Sequence, residues 1–114
     1  MARAIGLVEN VGHDHGVDYP FQGTIATSNG ESIWAFRYSS EGKSRSLFFS
    51  TNVATLRQLN PEVEILHAVG DETRLVVSEP LGDLPGAWNE VPESAAGVVR
   101  PGTDEMRPFT PTTP

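Results

Sequence analysis

Asn29-Gly-Glu-Ser-Ile-Trp-Ala-Phe-Arg-Tyr38 decides how this chain folds. Asn-Gly is the preferred pair for a two-residue type I′ hairpin turn, because both central residues of that turn need positive φ. Phe21 to Ser28 before it is rich in Thr, Ile and aromatic residues, and Ser32 to Tyr38 after it reads the same way, so two strands flank the turn. In the second strand Trp34, Phe36 and Tyr38 share one face while Ile33 and Ala35 share the other. Both faces are largely apolar. Such a strand is expected to be covered on both sides, in a sheet held between layers.

Working outward, the polar run Ser39 to Arg45 with Gly42 is expected to be a loop and Ser46 to Thr51 a third strand. Val53 to Leu59 reads as a short helix that stops before Pro61. Glu64 to Val69 is expected to be a fourth strand, Gly70-Asp71-Glu72 a turn, and Thr73 to Glu79 a fifth strand. Pro80, Gly82, Pro85 and Gly86 then break the chain, leaving Trp88 to Val91 and Gly97 to Arg100 as short final strands. Upstream, Ala4, Leu7, Val8 and Val11 form one apolar stripe of an amphipathic helix. Gly12 weakens its end, Gly16 can cap it, and His13 and His15 fall at the dipole end that favours cations. No Ser, Thr, Asp or Asn precedes that stripe to cap it, which leads to the expectation of further sequence upstream. The pattern as a whole is α+β with a mostly antiparallel sheet, without internal repeat or linker.

A length of 114 residues allows one modest core, and 38% hydrophobic with 20% charged residues is the balance of a folded chain. The net charge of −7 argues against nucleic acid or an anionic membrane as partner, since either would repel this surface. No apolar run reaches the ~20 residues of a membrane-crossing helix. Nor does any segment have the build of a secretory signal, and the cytoplasm is the expected compartment. There is no cysteine, hence no disulfide and no thiolate metal site.

Few side chains group in a way that suggests chemistry. His13-Asp14-His15 with Asp18 is the nearest to a metal site, but helical neighbours two apart point to different sides and do not converge on one ion. His67, alone in an apolar strand, is expected to be a hydrogen-bonded core or interface residue. Ser78-Glu79 near Asp71 and Glu72 lacks both the nucleophile-elbow pattern and a placed histidine. Arg37 and Arg74 fit structural ion pairs better than substrate binding, and the loop with Gly42, Lys43 and Arg45 lacks phosphate-loop spacing. Trp34, Phe36, Tyr38, Phe48 and Phe49 are expected to be core. No catalytic, cofactor-binding or metal-binding residue is assigned, and no cofactor is expected.

Asn29 to Thr51, Glu72-Thr-Arg-Leu-Val-Val-Ser-Glu-Pro-Leu81, Trp88-Asn-Glu-Val-Pro-Glu93 and Arg107-Pro-Phe109 together resemble the C-terminal half of class II glutamine amidotransferases, the small stand-alone members most. The likeness runs from about Ala4 to Phe109. It implies part of the four-layer αββα sandwich of N-terminal-nucleophile hydrolases, a sheet flanked by helices, with residues 1–109 as the half-domain and 110–114 as a disordered tail. In this family the thiol of an N-terminal cysteine attacks the side-chain amide of glutamine, with its own α-amino group as base. No position here matches that cysteine. The arginine that holds the glutamine carboxylate, the Asn-Gly oxyanion pair and the glutamine-binding aspartate belong to the family's N-terminal half, so none is carried over and Asn29-Gly30 stays a hairpin turn. The resemblance therefore implies a C-terminal structural half, a truncation or gene fragment, that is inactive by itself. Its partner is the missing N-terminal half or a second copy, with glutamine bound only in a complete domain. The alternative is a non-catalytic interaction module that dimerises or binds a protein partner. If the second sheet lies in the missing half, one face of this sheet is left bare.

Overall fold

The computed structural model of the protein describes residues 1–113. A hairpin of β1 (Gln22–Ser28) and β2 (Ile33–Ser39) forms its centre, in register from Gln22 opposite Ser39 to Ser28 opposite Ile33. The turn is not the expected two-residue type I′ form. Four residues, 29–32, connect the strands, and only Gly30 takes a positive φ, +93°. Asn29 uses its side chain instead: Oδ1 accepts the backbone N–H groups of Glu31 and Ser32, each at 2.9 Å. This local bond offers Asn29 an alternative to left-handed backbone.

β2 pairs on its other side with β6 (Ala95–Val99), which pairs in turn with β7 (Asp104–Pro108), giving a four-stranded antiparallel sheet in the order β1-β2-β6-β7. β7 was not foreseen, because Asp-Glu-Met-Arg-Pro shows no apolar alternation. It is an outer strand with Met106 as its one half-buried residue. Gly97 permits the close pairing, since a Cβ there would run into the Glu105 carbonyl oxygen and the Met106 sulfur. A second antiparallel sheet holds β4 (Val76–Val77), β3 (Phe48–Ser50) and β5 (Trp88–Glu90) in the order β4-β3-β5.

The two sheets face each other within this one chain. Ala35, Ala95 and Val99 of the first meet Phe49 of the second together with Leu47 and Val91, all buried, and Ile33, Val76 and Met106 pack against them. The expectation of a bare inner face is thus corrected. Alternation along β3 places Phe49 in that core, while Phe48 and Ser50 lie on the opposite face of the strand. The second cluster, Leu56, Leu66 and Ala87 with Val63, Leu84 and Trp88, is built by α2 (Val53–Leu59), α3 (Ile65–Ala68) and the loop before β5.

α3 replaces the expected fourth strand. Its residues are too short an apolar run for periodicity to separate strand from helix, and Arg57 favours the helix. From α2, Arg57 Nε donates to the Leu66 carbonyl and Nη2 to the Val69 carbonyl, both at 2.6 Å, occupying acceptors that a helix end leaves open.

α1 (Ala2–Asp14) lies at the outer face of the first sheet, where Glu9 Oε2 accepts from the Tyr38 hydroxyl at 2.7 Å and the Ser40 hydroxyl at 2.5 Å. Its packing reverses the expected one. Ile5 and Gly6 are the buried residues, whereas Leu7, Val8 and Val11 are 52%, 45% and 48% exposed. Gly6 sets the orientation: a Cβ there would collide with the Thr112 carbonyl oxygen, so the helix turns its bare backbone to the tail. The tail, expected to be disordered, is tied to α1 by the Thr112 N–H donating to the Ala2 carbonyl at 3.2 Å, and Pro114 lies outside the described residues.

Candidate functional site

The groups weighed from the sequence do not converge. His15 Nδ1 hydrogen-bonds the Val11 carbonyl at 2.8 Å and His13 Nε2 the Asp18 carbonyl at 3.3 Å, so each ring serves the end of α1 rather than a shared ion. Among the described residues no group of three or more His, Asp or Glu side chains could hold a metal. His67 sits in α3, not in a strand core, with Nε2 on the Pro61 carbonyl at 3.1 Å. Ser78 contributes its backbone carbonyl to the Ser46 hydroxyl at 2.8 Å, and Asp71 pairs with Arg57.

The two arginines form ion pairs, and the geometry says what each holds. Arg74, with its side chain 3% exposed, donates to the Ser50 carbonyl from Nε and Nη2 at 3.1 and 2.9 Å, and from Nη1 to the Arg100 and Thr103 carbonyls. Nη2 also meets Asp104 Oδ2 at 2.7 Å. Its fork thus ties β3 in the second sheet to the β6–β7 turn in the first. Arg37 donates from Nη1 to the Val91 carbonyl at 2.7 Å and from Nε to the Ser44 hydroxyl at 3.0 Å, with Glu93 Oε2 3.2 Å away. Ser44 donates its hydroxyl to Glu93, whose carboxylate also accepts the Ser44 N–H at 3.1 Å. With the Arg37 guanidinium beside both the Ser44 hydroxyl and the Glu93 carboxylate, the three groups form an ion-paired clamp. It fastens the loop Ser39–Arg45 to the segment after β5.

Of the aromatics expected in the core, Phe49 is there. Trp34, Phe36, Tyr38 and Phe48 are half-buried. Phe109 stacks edge-on against Phe36 and Tyr38 with ring centroids 5.5 and 5.7 Å apart, fixing the chain after β7 to the outer face. Burial first, then the hydrogen bond and charge of Glu9, raise the Tyr38 hydroxyl to a pKa of about 12.

An apolar cavity of about 420 Å³ lies between the second sheet and α2–α3, walled by Leu56, Ile65, Leu66, Leu75, Leu84 and Trp88. Two of its hydroxyls have partners: Thr51 donates to the Gly86 carbonyl at 2.6 Å, and Ser50 accepts the Leu75 N–H at 2.8 Å. The sequence pointed to none of this cavity, because its walls come from segments far apart in the chain. Its lining among the described residues is apolar apart from the hydroxyls of Ser50, Thr51 and Thr73, with no titratable side chain.

Two facing antiparallel sheets, with α2 and α3 against the second and α1 beside the first, make this a partial αββα sandwich, as the resemblance to class II glutamine amidotransferases implied. The structure is similar to that of a glutamine aminotransferase class-II domain protein from Silicibacter pomeroyi, with a TM-score of 0.73 and 27% identity. The match takes in 97% of this chain and 43% of that one, so the chain spans less than half the length of the protein it matches. No family model matches the chain, and no curated protein matches its sequence. Among the described residues no helix is long and apolar enough to cross a membrane.

Proposed function

We propose that this chain is the C-terminal structural half of a class II glutamine amidotransferase domain, and that it hydrolyses no glutamine alone. The half-length match carries the reading: nearly all of this chain is accounted for by less than half of a glutamine aminotransferase class-II domain protein. The residue content supports it, because the family's thioester chemistry needs a thiol and these 114 residues include no cysteine. The shape does too. A compact chain of this length has a radius of gyration of about 13 Å, whereas this one has 16.5 Å and extents of 56 × 25 × 17 Å. In this role Arg37, Arg74 and the paired sheets form a scaffold against which a cysteine-bearing half is positioned, in the cytoplasm.

The test is glutamate release from glutamine. The purified chain should release none above a heat-killed control, and release by the chain alone overturns the proposal. Joining it to the portion of the Silicibacter pomeroyi protein that it does not match should restore turnover. A second reading, a non-catalytic module that dimerises or binds a protein partner, is favoured by one observation, the exposed Leu7, Val8 and Val11 on α1. A stable dimer that buries those three side chains would select it.

A further inference from the structure

We propose that β1 is the edge at which the first sheet is continued, by backbone pairing with an extended strand from the portion of the domain that this chain does not carry. This deepens the half-domain reading and rests on it.

The register identifies the groups involved. The Ser40 N–H donates to the Phe21 carbonyl at 2.8 Å and the Asn29 N–H to the Ser32 carbonyl at 3.3 Å, two pairs on the same β1–β2 ladder. Hydrogen-bonded and non-bonded pairs alternate along an antiparallel ladder. The odd-numbered residues of β1 therefore bond β2, and the N–H and C=O groups of Gln22, Thr24, Ala26 and Ser28 point away from it. They form a row along a strand of 7 residues, roughly 23 Å at 3.3 Å per residue.

The four sheet edges are not alike. Natural edges are blunted by shortness, charge or proline. β4 has two residues and β5 three, while β7 carries Asp104, Glu105, Arg107 and Pro108. β1 reads Gln-Gly-Thr-Ile-Ala-Thr-Ser, with no charge and no proline, and its last three residues are exposed. Among the described residues it is the one long edge with neither charge nor proline. The occupant follows from length: more than half of the matched protein lies outside the match and is available to supply a strand. A second copy fits less well, since two such acidic chains would be brought side by side.

The test is a chimera in which this chain replaces the matched segment of the Silicibacter pomeroyi protein, compared with the chain alone by amide hydrogen exchange. Thr24 and Ala26 should exchange at least tenfold more slowly in the chimera. Ala26→Pro removes an outward N–H and spares the β1–β2 ladder, so it should leave the melting of the free chain unchanged and abolish the protection at Thr24. Ile25→Pro, which removes a donor to β2, should unfold the hairpin in both. A folded chimera whose Thr24 and Ala26 exchange as fast as in the free chain overturns the edge proposal and leaves the half-domain reading standing. A chimera that fails to fold although the parent protein folds overturns both. Protection that appears in the free chain on raising its concentration puts a second copy in place of the missing strand and also overturns the proposal.

Discussion

Arg74 and Tyr38 show how single side chains hold the layers of this protein. Arg74→Ala would leave the Ser50, Arg100 and Thr103 carbonyls and Asp104 without their shared donor. Removing one partner of a buried ionic network costs about 3–5 kcal/mol, against about 0.5 for a surface change such as His13→Ala. Denaturant midpoints of the two variants, measured at equal slope, check the difference, and equal midpoints would refute it. Tyr38 makes a prediction about alkaline pH. Its folded-state pKa of about 12 lies above the usual tyrosine value of 10.0, so the folded form keeps its proton while the unfolded chain gives it up. The stability this confers is complete below pH 10 and is lost as pH rises from there through about 12. Tyr38→Phe should flatten that part of the stability curve and remove the late phase of tyrosinate absorbance.

At the level of elements, α2 is secured by Asn52, whose Oδ1 accepts the Thr55 N–H at 2.9 Å. Asn52→Ala should cost about 1 kcal/mol and Asn52→Asp far less, since aspartate caps as well. Thermal melting of both variants tests this, and equal losses would show that the cap bond is not what matters. Much of this element pattern was legible in the sequence: α2, the β1–β2 hairpin and the strand at Phe48 follow from local periodicity and a turn signal. What was illegible depended on partners. Ile65–Ala68 is helical because Arg57 binds its terminal carbonyls, and Asp104–Pro108 is a strand because Gly97 lets it approach. α1 packs by Ile5 and Gly6 because Thr112 lies against it, which no stripe of leucines and valines announces. The candidate groups at His13, His67 and Ser78 were legible as weak, and geometry disperses them.

For the whole molecule, the outward stripe of Leu7, Val8 and Val11 is the feature most open to test. Apolar dye should bind the isolated chain, and Leu7→Glu with Val11→Lys should lower that binding severalfold without lowering the melting temperature, because these side chains contribute little to the core. A matching fall in melting temperature would mean that the stripe is packed in solution.

The strand order β1-β2-β6-β7 has a consequence for the way the chain reaches this state. β2 and β6 are neighbours in space, yet β3, α2, α3, β4 and β5 all lie between them in sequence. The hairpin of β1 and β2 can close as soon as it exists, but the far side of β2 must wait until the whole second sheet has been threaded past it. Loop closure of that span is an entropic toll taken before any pairing with β6 repays it, which places refolding in the millisecond-to-second range typical of non-local sheets. During that interval β2, which carries Ile33, Trp34, Ala35, Phe36 and Tyr38, is open on the side where β6 belongs. Misfolding should begin there.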